Sequence, residues 1–292
     1  MRRLSISLLI LFLFSVIASL AHGEGEGQKD LDEAADAIID ANTLADFEKV
    51  IALAESAITK GLDKKQEQSA HELAAATLYQ HAERSAKAVL EPPRNPSWQL
   101  VRQIALKNLE KARKHDPKLP DVYLLIARLN AEVQGGDEKA ANEAIDEGIK
   151  LLKDNPPELS KAYILKGRMV EDKDVKLENF DLAVKADPKN VQARQGRAIL
   201  YSEKGENDKA LDDLTQLLAA DADNQMALEA ISQVLSKLKK YDEALKYIEK
   251  LIGLNPKQPG GYLLRAGLHA MKDDEQKALE DLDKVLELDP RN

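Results

Sequence analysis

The side chains able to do chemistry are few and far apart. The histidines are His22, His71, His81, His115 and His269, and there is no cysteine. His71-Glu72 is followed by Leu, Ala and Ala, so the zinc-hydrolase pattern HExxH fails at its second histidine. The five histidines read as isolated, with no metal role. Without cysteine the chain has no thiol nucleophile, thiolate metal site, disulfide framework or lipid-modified cysteine. Adjacent carboxylates such as Asp212-Asp213 and Asp273-Asp274-Glu275 suggest acid/base or calcium chemistry. Neighbours in sequence point in different directions on a helix, however, and no D-x-D-x-D-G loop occurs, so these read as solvated faces or caps. No G-x-S-x-G elbow, phosphate-binding loop or dinucleotide fingerprint is present, and Gly135-Gly136 stands alone. The expectation is no catalytic residue, no enzyme activity, no metal and no cofactor.

The elements that carry these residues are helices. Of 292 residues 43% are apolar, 32% charged and only 4% aromatic, a balance that suits helices packed through small contacts and predicts an all-α fold. A formal charge of −9 without a Lys/Arg cluster excludes generic nucleic-acid binding and anionic-membrane binding.

The last part of the chain repeats itself. Val191–Asn224, Gln225–Gln258 and Pro259–Asn292 align as three blocks of 34. Slot 8 is small (Ala198, Ser232, Ala266), slot 20 is alanine (Ala210, Ala244, Ala278) and slot 24 is large and apolar (Leu214, Ile248, Leu282). Slot 32 holds Ala222, Pro256 and Pro290, and one period earlier Pro188. This pattern resembles the tetratricopeptide repeat (TPR) family. The resemblance implies antiparallel helix-turn-helix hairpins stacked into a right-handed superhelical solenoid that binds proteins or peptides, and it says little of activity. In the turns, Lys204-Gly205-Glu206 keeps the helix-stopping glycine, whereas Lys239-Lys240-Tyr241 and Lys272-Asp273-Asp274 do not.

Residues 1–21 carry Arg2-Arg3, an apolar run from Leu4 to Leu20 and small residues before His22, the pattern of a secretory signal peptide cut between Ala21 and His22. Uncleaved, the segment would be a membrane anchor. The expected location is extracytoplasmic, periplasmic or secreted. A flexible linker is expected over 22–29, a degenerate N-terminal hairpin over 30–65 and a TPR-like hairpin with a long, proline-rich loop over 66–119. Repeats then follow over 120–158, 159–190, 191–224, 225–258 and 259–292, as one continuous solenoid. Trp98, the single tryptophan, reads either as an anchor for the long loop or as an exposed contact. Lys176 stands where slot 20 wants alanine, which makes the packing of its hairpin a question.

Carried over slot by slot, the resemblance assigns a concave partner-binding face to Leu124, Arg128, Ile164, Arg168, Gln192, Gln195, Ser202, Glu229, Gln233, Lys237, Leu263 and Met271. The lysine and asparagine with which family members clamp acidic tails are replaced by Gln195 and Ile199 and by Glu229 and Gln233. Arg128 and Arg168 share slot 9 and either grip a partner's acidic group or pair with Glu132 and Asp172 one turn on. Arg197 and Arg265 at slot 7 face Asp213 and Asp281 at slot 23, which implies two structural ion pairs. The function expected is an exported scaffold or adaptor. The alternative is a non-catalytic recognition arm of a larger enzyme or of a complex that processes an envelope polymer. Self-association through the uncapped last repeat is a further expectation.

Overall fold

The computed structural model describes residues 25–92, 96–133 and 135–290. The segment expected to be a signal peptide lies outside them. Among the described residues there is no strand, and no helix is long and apolar enough to cross a membrane. Among the described residues fourteen helices follow in order: α1 (Glu26–Asp40), α2 (Leu44–Lys60), α3 (Lys64–Leu90), α4 (Trp98–His115), α5 (Pro120–Ala131), α6 (Glu138–Leu151), α7 (Pro156–Met169), α8 (Lys173–Ala186), α9 (Val191–Glu203), α10 (Asn207–Ala220), α11 (Gln225–Lys237), α12 (Tyr241–Leu254), α13 (Pro259–Met271) and α14 (Glu275–Leu288). They fall into two compact units, residues 1–155 and 156–292. Within each unit consecutive helices pair as hairpins and hairpins stack on their neighbours, the all-α arrangement of a TPR solenoid.

In the first unit, Leu31, Ile38, Phe47, Val50, Ala54, Leu73 and Ala74 form the core between α1, α2 and α3. The linker expected over 22–29 is helical from Glu26 onward. Gly27 is the reason: a Cβ there would sit 2.4 Å from the Gly61 carbonyl oxygen, so glycine lets α1 press onto the end of α2. Thr43 and Asp46 close a capping box on α2, and Asp63 and Gln66 do the same for α3, satisfying amides that a helix start leaves open. Trp98 opens α4, half-buried.

In the second unit the alanines at slots 8 and 20 carry the close contacts. Ala198, Ala210 and Ala244 are at most 1% exposed. Asn190 and Asn224 cap α9 and α11 through their side chains. The turn residue that must take positive φ is Gly205 in one repeat, Lys239 in the next and Asp273 in the last, at φ 78°, 58° and 61°. Lys176 is tolerated because the packing moves to Phe180, which is buried, and a Cβ on Gly196 would stand 2.0 Å from its ring. Glycine on the facing helix thus makes the room that alanine at slot 20 makes elsewhere.

Candidate protein-binding groove

The first helices of three successive hairpins, α9, α11 and α13, present the face that the repeat register assigns to a partner. Between α9 and α11 lies a groove of about 400 Å³. Gln195, Ser202, Glu229, Gln233 and Lys237 line it, together with Glu203, Ile199, Met226, Ala230 and Val234. Ile199 and Met226 are 56% and 61% exposed and lie together in the groove lining. Much of the polar rim is already bonded. Lys237 Nζ donates to Ser202 Oγ at 2.8 Å, Gln233 Nε2 donates to Glu229 Oε1 at 3.1 Å, and Glu203 pairs with Lys173 at 2.8 Å. That pairing holds the Glu203 carboxyl below its ordinary range. Gln192 lies exposed on α9 beside the groove lining, and Leu263 and Met271 are exposed on α13.

Other assigned residues sit elsewhere. Ile164 is 3% exposed, in a core with Leu177, Phe180 and Leu200, and so is no contact residue. Its slot lies on the seam with the next first helix, where an apolar side chain is covered. Leu124 is half-buried, with Cδ2 2.9 Å from where a Cβ on Gly148 would be, so it packs within its own hairpin. Arg128 is paired with Glu132 through bonds of 3.2 and 3.3 Å. Arg168 is exposed on α7, and Asp172 instead caps α8 by accepting from the amides of Asp174 and Val175. Ile199 and Met226 join the assigned residues in the groove lining; they stand at slots 9 and 2, the same slots that place Arg128 and Gln192 on this face.

Beneath the face, Asp213 is 1% exposed and accepts from Arg197 Nε and Nη2 at 2.7 and 2.6 Å. A second arginine, absent from the sequence reading, joins it: Arg194 Nη1 lies 2.9 Å from Asp213 Oδ1. Arg197 also reaches Asp181 at 3.0 Å, and Tyr201 donates to the same carboxylate at 3.2 Å. Arg265 and Asp281 make the simpler version, with bonds of 2.9 and 2.6 Å. The hydrogen bonds to Asp213 and Asp281 push both guanidiniums above their ordinary range, against the opposing effect of burial. Arg194 and Arg197 tie α9 to α10 through Asp213, Arg265 ties α13 to α14 through Asp281, and the contacts with Asp181 reach back to α8 of the preceding hairpin.

The sequence model of the tetratricopeptide repeat family matches residues 195–259 and 229–292. Residues 195–292 are thus a run of tetratricopeptide repeats. A human relative, tetratricopeptide repeat protein 13, is 31% identical over 45% of this chain and 16% of its own length. Human tetratricopeptide repeat protein 6 is 27% identical over 62% of this chain and 35% of its own. The chain therefore spans well under half of either relative. Among solved structures, PilW, described as a widely conserved type IV pilus biogenesis factor, superposes with a TM-score of 0.55 at 19% identity, covering 75% of this chain and 94% of that one. A segment of MamA from Desulfovibrio magneticus gives 0.51 at 19% identity, covering 59% and 95%. At such identity the likeness speaks for the TPR fold alone.

Proposed function

We propose that the protein is an exported, non-catalytic TPR scaffold that holds a segment of a partner protein in the groove between α9 and α11. The observation that carries this reading is the pair of exposed apolar side chains, Ile199 and Met226, in a groove where Lys237–Ser202 and Gln233–Glu229 on the rim are already bonded to each other. Such a site gains by removing apolar surface from water and loses little by ordering its own walls. Its chemistry suits an apolar anchor on a peptide better than an acidic tail, since no lysine–asparagine clamp is present. The length of the relatives favours a second reading, in which these repeats are the recognition arm of a longer protein.

A photo-reactive residue at position 199 or 226 tests the binding site. Cross-links to a partner in the native compartment are expected there and absent at the exposed Asp212 on the other side of the hairpin. Equal labelling at all three positions would refute the assignment. The export half is tested by the N-terminus of the endogenous chain: His22 as first residue supports it, and Met1 overturns it.

A further inference from the structure

Two of the histidines that look isolated in sequence meet in the first unit. His71 lies near the start of α3 and His115 is the last residue of α4, and these two helices pack along each other. The two Nδ1 atoms are 2.9 Å apart, with ring centroids at 5.1 Å and ring planes tilted by 48°. One Nδ1–H donates to the other Nδ1. The far nitrogen of His115, Nε2, faces Glu55 Oε1 on α2 at 3.5 Å, and Lys111 Nζ holds the same carboxylate oxygen at 3.2 Å.

The geometry points to a two-histidine site for a late divalent transition metal, Cu²⁺ or Ni²⁺, bound by Nδ1 of His71 and Nδ1 of His115. Metal–imidazole bonds are about 2.0–2.1 Å, so two donors at the observed separation subtend about 90° at the ion. That is the angle between neighbouring ligands in square-planar or octahedral coordination, the geometries Cu²⁺ and Ni²⁺ prefer. A tetrahedral Zn²⁺ would require the nitrogens to part by about 0.4 Å. The carboxylate facing the outer nitrogen supplies the other recurrent part of such sites. Glu55 keeps a proton on His115 Nε2, which leaves the Nδ1 lone pair for the ion and fixes the ring. Since His115 carries its proton on Nε2, the proton between the two Nδ1 atoms belongs to His71; as the ion binds it passes to His71 Nε2, so both ligands stay neutral imidazoles with no net proton released, and water fills the remaining positions. Among the described residues no third His, Cys, Asp or Glu joins the pair, so the site grips by two points. Both ligands are reachable: His115 keeps 16% of its side chain exposed and His71 is half-buried. An ion here ties the start of α3 to the end of α4.

The test is calorimetric titration of the intact protein with NiCl₂, together with electron paramagnetic resonance of the CuCl₂-loaded protein. One ion per chain is expected. Titration should show binding lost in His71→Ala and in His115→Ala, kept in His269→Ala, and weakened about tenfold or more in Glu55→Gln, the usual size of an outer-partner effect. The copper spectrum of the unaltered protein should carry splitting from two imidazole nitrogens, a readout independent of whether the alanine variants fold. Stoichiometry untouched by either substitution, or a spectrum with one, three or four nitrogens, means an adventitious ion only and overturns the site.

Discussion

Removing the Asp213 carboxylate should be far more damaging than any surface charge change in this chain. Asp213 is nearly inaccessible and answers two guanidiniums, with the side chains of Arg194 and Arg197 only 13% and 18% exposed. In Asp213→Ala those two cations remain side by side, and the one carboxylate left within reach is Asp181, whose side chain is 46% exposed. Breaking a buried pair on one side costs about 3–5 kcal/mol. At about 1.4 kcal/mol per tenfold, amide exchange in α9 and α10 should accelerate by roughly two to four decades. Asp281→Ala sets the scale from the other side. It frees a single arginine, Arg265, whose side chain is 27% exposed and can turn to water, so its cost should lie nearer about 1–2 kcal/mol. Replacing Arg194, Arg197 and Asp213 together by leucines should recover most of the loss, because the penalty is that of unanswered charge. Hydrogen exchange read by mass spectrometry on peptides from α9–α10 and α13–α14 makes the comparison within one molecule. A cost for Asp213→Ala below about 1 kcal/mol, or no larger than that of Asp281→Ala, would refute the reasoning.

Two further outcomes follow from the turns and from one buried histidine. Lys239→Gly and Asp273→Gly should each stabilise the second unit by about 0.5–1 kcal/mol, the left-handed penalty of ~1–2 less the backbone entropy glycine adds to the unfolded chain; a lower urea midpoint in either variant would contradict this. His81 is 3% exposed and accepts from Asn108 Nδ2 at 2.8 Å, and burial, opposed by Glu48, lowers its pKa from the usual 6.5. The neutral form is thus the folded one: its stabilisation is present above pH 6.5 and lost as pH falls through the lower folded value. Thermal melts followed by Trp98 fluorescence should weaken from pH 7 to 5, and a His81→Gln protein with the same slope would exclude His81 as the cause.

The hairpins were legible because their signal is periodic. Small residues at slots 8 and 20 report one constraint, two helices in close contact, and the register exposes it three times over. The same register pointed to Arg197 opposite Asp213. It gave no sign of Arg194, because a second donor to one carboxylate depends on side-chain reach and not on spacing. Lys176 looked like a packing fault because its compensation sits in Gly196 on the following repeat. Ile164 failed for a related reason: a slot facing a groove in one repeat lies under a neighbouring helix in another. The contact of His71 with His115 was invisible, since the extra length of the first helix and loop in this hairpin has no counterpart in the repeat and nothing in sequence sets which turn of α3 meets the end of α4.

The walls of the groove belong to different hairpins, α9 to one and α11 to the next, and hairpins in such stacks touch only their neighbours. The gap between the walls is therefore an elastic coordinate: it widens or narrows as one hairpin rocks on the next, with little strain inside either. A partner lodged there, as proposed, would act as a splint. It would stiffen the seam between α10 and α11, raise the energy needed to peel the repeats apart, and make the resistance of this protein to pulling depend on what it held.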